Sequence, residues 1–201
     1  MADTKTDHGI DTIVQSCQQG DLSAFATLFT LFQDRVYDLA CSILNDEAEA
    51  EDAVQDTFLR AFEAMADFRG ESSFETWLVA IAVNLCRDRL RRRKARRTLP
   101  LESLAPRWMA RVLGLGRNPE AVLEWREGRA SLWAMVDRLD DRLRLPLILR
   151  YHHGLRCDEV AHVLGLTTGT VYGQLSEGRR RLRHMLQDEG SAILPQLVNG
   201  S

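Results

Sequence analysis

Three groups of residues in this 201-residue chain are dense enough in charge or ligating atoms to do chemistry. Between Asp46 and Asp56 stand six acids and no base: Asp46, Glu47, Glu49, Glu51, Asp52 and Asp56. Carboxylates at that density could hold a divalent cation or share a proton. No Glu-x-x-His pair accompanies them, as a di-iron helical site would need, and no apolar pocket is evident to raise a carboxyl pKa. An acidic helix start, or a surface on which a partner docks, remains. Between Arg87 and Arg97 stand eight bases and one acid: Arg87, Arg89, Arg91, Arg92, Arg93, Lys94, Arg96 and Arg97 against Asp88. His152, His153, Cys157 and His162 come close in sequence and could suggest zinc or copper. They surround a turn that helical patterning explains, so neither metal nor cofactor is expected. The four cysteines form no Cys-x-x-Cys pair, and Cys17, Cys41 and Cys86 fall in helical patterns as small buried hydrophobes.

The formal net charge is −3, an odd value for a nucleic-acid binder. The average hides the segregation just described, and a chain with one acidic and one basic surface has reason to meet two different partners. A hydrophobic fraction of 45% suits a folded protein. No stretch approaches the roughly 18 apolar residues of a membrane span. The N-terminus, MADTKTDHGIDT, lacks the apolar core of a secretory signal. A cytoplasmic protein with no membrane insertion of its own is expected.

The elements that must position these groups read at helical period almost throughout, so the fold is expected to be all-α. Asp21 after Gly20 can cap a helix whose face carries Phe25, Leu28, Phe29, Phe32, Val36, Leu39 and Ile43. A second helix starts in the acidic run, where carboxylates suit a helix N-terminus, with the stripe Ala50, Val54, Phe58, Ala61, Phe62 and Met65. After the loop FRGESS, Ser72 and Glu75 form a capping-box pair that opens a third helix. Phe74, Trp77, Leu78, Ile81, Leu85 and Leu90 face inward on it, and it runs out into the arginine block. These make one helical domain over residues 10–97.

From 98 to 119 Pro100, Pro106, Gly114, Gly116 and Pro119 mark a linker, with an apolar centre from Trp108 to Leu115. A second helical domain is expected over 120–188. Leu123, Trp125, Leu132, Val136 and Leu139 pattern its first helix; Asp140 or Asp141 caps the next, with Leu143, Leu147, Ile148 and Tyr151 inward. Pro146 falls near its first turns and withholds a backbone donor. A short helix ending at Gly165 and a longer one after it then form a helix-turn-helix. Val160, Ala161, Leu164, Leu166, Val171 and Leu175 are spaced to pack the pair. Thr167, Thr168, Thr170, Tyr172 and Gln174 line the outward start of the second helix, the part that reaches base edges in a major groove. Arg179, Arg180, Arg181 and Arg183 follow, suited to phosphates.

The order of these parts carries a resemblance. DAVQDTFLRAF (52–62), FRGESSFETWL (68–78), IAVN (81–84) and the arginine run resemble region 2 of the extracytoplasmic-function (ECF) sigma factors of bacterial RNA polymerase. LRY (149–151), EVAHVLG (159–165) and GTV (169–171) resemble region 4, with Asn118-Pro119-Glu120 at the junction. The resemblance spans nearly the whole chain and implies a promoter-reading subunit, not an enzyme, with no small-molecule substrate. It implies core RNA polymerase, promoter DNA and an anti-sigma factor as partners. It assigns Asp52, Gln55, Asp56, Phe58 and Leu59 to core polymerase. Phe68, Arg69, Gly70, Asn84, Asp88, Arg89 and Arg92 go to recognition and opening of the −10 element. A flipped base held in the FRGESS loop would suit that opening, since pocket contacts return the unstacking energy. Arg156, Thr167, Thr168, Thr170, Tyr172, Gln174, Arg179, Arg180 and Arg183 go to the −35 duplex. The two elements lie some 25 base pairs apart, roughly 85 Å at about 3.4 Å per pair. The 22 residues from 98 to 119 reach at most about 75 Å extended, so the breadth of the domains supplies the rest.

The chain departs from the family's habit in three places. Tyr172-Gly173-Gln174-Leu175 and Glu177-Gly178 replace stretches that commonly carry Lys and Arg, and the two glycines should each weaken the helix by about 1 kcal/mol. An unusual −35 sequence or weak −35 dependence is expected. Ala80 also stands where a base is frequent. The main rival is a conventional helix-turn-helix regulator with residues 10–97 as sensor or dimerisation domain, which leaves the arginine block and the acidic helix without purpose. A metal-dependent helical hydrolase is a third reading, and it lacks a His/carboxylate ligand set and a nucleotide-binding glycine loop.

Overall fold

The structure, a computed structural model, describes the backbone of residues 4–96 and 135–198, and side chains over 9–95 and 135–187. The described residues are helical, without a strand, and fall into two units. The linker, its Trp108–Leu115 centre, and Leu123, Trp125 and Leu132 lie outside the described residues.

The first unit comprises α1 (Thr4–Gln18), α2 (Leu22–Leu44), α3 (Glu47–Glu63), a 3-10 turn (Met65–Asp67) and α4 (Phe74–Arg96). Helix α2 is central and packs against α1, α3 and α4. Leu28, Val36, Leu39 and Ile43 on its expected face are buried, against Ala50 and Phe58 of α3 and Leu78, Val83 and Cys86 of α4 among others. Burial raises the Cys41 thiol to about 11 and that of Cys86 to about 12, so both behave as inert packing groups.

Helix α1 starts well before residue 10. Its polar sequence hides it: Val14 is its one side chain in the core among the described residues. Gly20, at φ 91°, ends it. The Gly20 N–H donates to the Cys17 carbonyl (2.9 Å) and that of Asp21 to Ser16 (3.1 Å), the paired bonds of a Schellman motif. Asp21 at once caps α2, accepting from the N–H groups of Ser23 (2.8 Å) and Ala24 (3.3 Å). Asp46 caps α3 through the Glu49 N–H at 2.9 Å. The cap of α4 is displaced by one residue from the expected Ser72. Ser73 Oγ accepts from the Thr76 N–H (3.2 Å) and bonds the Thr76 hydroxyl (2.9 Å), while Glu75 forms an ion pair with Arg35 of α2. The shift follows from packing, because Phe74 and Leu78 are both buried and fix where the helix begins.

In the second unit residues 135–137 close a helix, and α5 (Asp141–Leu147), α6 (Cys157–Leu164) and α7 (Thr168–Val198) follow. Asp140 caps α5. Pro146 sits inside α5, and the chain widens after it into a π-helical turn (Ile148–His152), with the His153 N–H reaching back to the Ile148 carbonyl. A proline that withholds its own N–H is a fitting place for such a local rearrangement. Arg144, 7% exposed, holds Asp137 through Nε (3.0 Å) and Nη2 (2.9 Å). Burial raises the Asp137 pKa against the pull of that guanidinium. Helix α7 packs on α5 and continues past the expected end at residue 188.

Candidate nucleic-acid and partner interfaces

In the first unit, the acidic start of α3 and the basic end of α4 are far apart in sequence and adjacent in space. Arg89 Nη2 lies 2.5 Å from Asp56 Oδ2, and its Nη1 lies 3.9 Å from Asp52. Arg93 donates to the Leu44 carbonyl (3.1 Å) and stands 3.9 Å from Glu49. Along this seam opens a cleft of about 510 Å³ lined by Glu49, Asp56, Arg60, Leu85, Asp88, Arg89, Arg92 and Arg93. The residues assigned to two different partners therefore share one groove. Beyond it, Asp52, Gln55 and Leu59 are exposed along α3, and Asn84, Arg91 and Lys94 along α4; Arg92, on the cleft itself, is exposed as well. Asp88 keeps an ion pair with Arg91 (3.4 Å). Phe58 turns inward at 4% exposure, against Phe25 and Phe29 of α2. Phe62, expected in the buried stripe, is 47% exposed and packs edge-on to Phe25.

The FRGESS loop is anchored at its first residue. The Phe68 ring packs at a tilt against Trp77 (4.9 Å) and meets Phe74 edge-on (6.0 Å). Arg69 and Gly70 follow, exposed, with Gly70 at φ 70°, a conformation that favours glycine. Phe68 is thus the loop's root and Arg69 its outward cation.

In the second unit Gly165, at φ 65°, makes the turn between α6 and α7. Thr167 caps α7 through the Thr170 N–H (3.2 Å), and the two threonine hydroxyls bond each other (2.8 Å). Val160, Ala161, Val171 and Leu175 are buried as expected, whereas Leu166 is partly exposed. Thr168 and Tyr172 point outward. Gln174 is half-buried, its Oε1 enclosed without a hydrogen-bond partner. Arg156 is exposed, with its guanidinium on Asp158 (2.9 Å) and its backbone N–H on Glu159 (2.7 Å).

The arginines of α7 are largely engaged already. Arg179 donates to the Tyr151 hydroxyl (2.8 Å), so Tyr151 is a surface partner and not the core residue expected. Glu177 grips Arg180 through both carboxylate oxygens (2.7 and 2.8 Å) and also takes Arg181 at 3.1 Å. Those bonds hold its carboxyl at about 2. Arg183 makes no such contact with the described residues and is exposed. The Glu177 clamp was missed in the sequence, though its spacing to Arg180 and Arg181 is that of helical neighbours. Among the described residues no group of His, Cys, Asp or Glu side chains is gathered to hold a metal ion, and no described helix is long and apolar enough to cross a membrane.

A helix-turn-helix unit, and a helical unit whose basic helix borders an exposed loop, define a two-module DNA-binding transcription protein. Residues 28–96 match the family Sigma-70 region 2, and residues 129–182 match Sigma-70, region 4. The chain is 30% identical over 178 residues to the ECF RNA polymerase sigma factor SigW of Bacillus subtilis, covering 87% of this chain and 95% of that one. It is 29% identical over 193 residues to the ECF RNA polymerase sigma-E factor of Salmonella typhimurium, covering 93% and 97%. Among solved structures, CnrH in complex with the cytosolic domain of CnrY matches with a TM-score of 0.64 at 25% identity, over 88% of this chain and 96% of that one. The sigma factor RpoE of Bartonella quintana, solved with the anti-sigma factor NepR, shares the fold at 22% identity with a TM-score of 0.65, over 83% and 98%. The chain belongs to the ECF RNA polymerase sigma factors, which are transcription initiation factors and not enzymes. That membership favours the promoter-reading subunit over the conventional regulator.

Proposed function

We propose that residues 10–97 dock on core RNA polymerase and open the −10 element, residues 98–119 connect, and residues 120–188 read the −35 element. Asp52, Gln55, Asp56 and Leu59 form the polymerase-facing surface, with Phe58 supporting it from beneath. Arg69, Gly70, Asn84, Asp88, Arg89 and Arg92 meet the −10 strand, with Phe68 as anchor. Arg156, Thr167, Thr168, Thr170, Tyr172, Gln174, Arg179, Arg180 and Arg183 meet the −35 duplex. The carrying observation is the seam where the exposed acids of α3 border the arginines of α4. It sets a partner-docking face beside a phosphate-binding one. Its work with polymerase and DNA places the protein in the cytoplasm. An anti-sigma factor is its expected regulator, because the related CnrH was solved with a second protein bound.

The test is in vitro transcription from random promoter fragments, with core polymerase alone and with this protein added. New sequence-specific starts that vanish on Asp52→Lys/Asp56→Lys are expected. Tight, specific DNA binding without polymerase and no new starts would overturn the reading.

A further inference from the structure

We infer that Gln18, at the end of α1, is a positioning residue for the −10 strand, one that sets the shape of the FRGESS loop. The inference deepens the proposed function and rests on its assignment of that loop to DNA. Gln18 Nε2 donates to the Phe68 carbonyl at 2.8 Å and to the Met65 carbonyl at 3.3 Å. These bonds join residues about fifty apart in sequence and tie α1 to the loop's root. The amide is itself well placed to hold. The Schellman motif at Gly20 and the Asp21 cap fix the corner from which Gln18 projects. At the loop's other end Ser73 caps α4.

Only Arg69, Gly70, Glu71 and Ser72 lie between the two fastenings. A segment that short, held at both ends, has little conformational entropy left to lose when a base enters it. Arg69 and Gly70 are exposed on it. Without Gln18 the Phe68 ring still packs on Trp77 and its N–H still reaches the Met65 carbonyl, but its own carbonyl is no longer held, and the four residues after it can turn. Gln18 is a surface residue, so replacing it leaves the core untouched.

The experiment uses polymerase holoenzyme containing the full chain and fluorescent single-stranded oligonucleotides with the non-template −10 sequence that the transcription assay identifies. Each is compared with versions made abasic at one position. The readout is the affinity ratio of intact to abasic strand at the position where discrimination is greatest. Gln18→Ala and Gln18→Glu, neither of which can donate to the two carbonyls, should lower that ratio about fivefold to thirtyfold, the range that one or two lost hydrogen bonds allow. Affinity for the abasic strand and for core polymerase should stay unchanged. Equal losses for both strands would mean general loosening and overturn the inference. An unchanged ratio in both variants, with Arg69→Ala abolishing discrimination, would overturn it while leaving the loop's role intact. No discrimination by the unsubstituted protein would remove the loop's role and the inference together.

Discussion

The Glu177 carboxylate is shared by two arginines of its own helix, and that sharing limits what they can give to DNA. Each exposed pair is weak in water, so a phosphate can compete for Arg180, but only against the carboxylate that remains beside it. The folded pKa is depressed to about 2, first by the bond from Arg180 and then by that from Arg181. The attraction is therefore present above the ordinary carboxyl range and is lost only as pH falls through about 2, so no physiological acidification frees the arginines. Glu177→Gln in the holoenzyme should tighten binding to −35-dependent promoters several-fold. It should also steepen the fall of log affinity with log salt by about 1 to 2, since each phosphate contact contributes about −0.9. Filter binding across a salt series measures it; an unchanged slope would mean both arginines already reach phosphates. The positive charges missing from this helix are legible as absent Lys and Arg, whereas those Glu177 occupies show only as an acid three and four residues before two arginines, a spacing that gives a neighbour and not a bond.

At the scale of the helix, Gly173 and Gly178 of α7 are unlike each other. A Cβ at Gly173 would meet no atom within 4 Å, whereas one at Gly178 would lie 2.9 Å from Leu147 Cδ1 of α5. Gly173→Ala should stabilise the second unit by about 1 kcal/mol, the ordinary helix-propensity gain. Gly178→Ala should gain less or lose stability, since buried Leu147 must move. Denaturant melts of both variants decide it, and equal gains would contradict the contact. Helix boundaries with local causes were legible: Asp21, Asp46, Asp140 and Gly165 cap or turn the chain through neighbours a few residues away. Features with distant causes were not. The Ser72–Ser73 choice depends on where Phe74 lands in the core. Tyr151 and Phe62 each fall on a periodic stripe with buried residues, yet both are about half exposed. Helix α1 buries too little to show any stripe, and the Arg89–Asp56 pair spans 33 residues that no local pattern links.

For the molecule as a whole, the proposed function gives charge to association, while apolar packing holds the fold. Leu28, Leu39, Ile43, Leu78 and Val83 are almost wholly buried in the first unit, as are Leu143, Ile148, Leu149, Val160 and Val171 in the second. Most of the ion pairs, by contrast, have at least one partially exposed partner, and such pairs contribute little to stability. Raising salt from about 0.1 M to 1 M shortens the screening length from roughly 10 to 3 Å. Promoter binding by the holoenzyme should therefore collapse over that range while the thermal midpoint of the free protein shifts by only a few degrees. Parallel anisotropy and calorimetry would show it; a melting point that fell along with affinity would place the seam's ion pairs among the supports of the fold. The practical corollary concerns handling. Brine should then be a gentle eluent for such a protein, with sodium chloride expected to strip it from nucleic acid and hand it back folded, ready for reassembly once the salt is dialysed away.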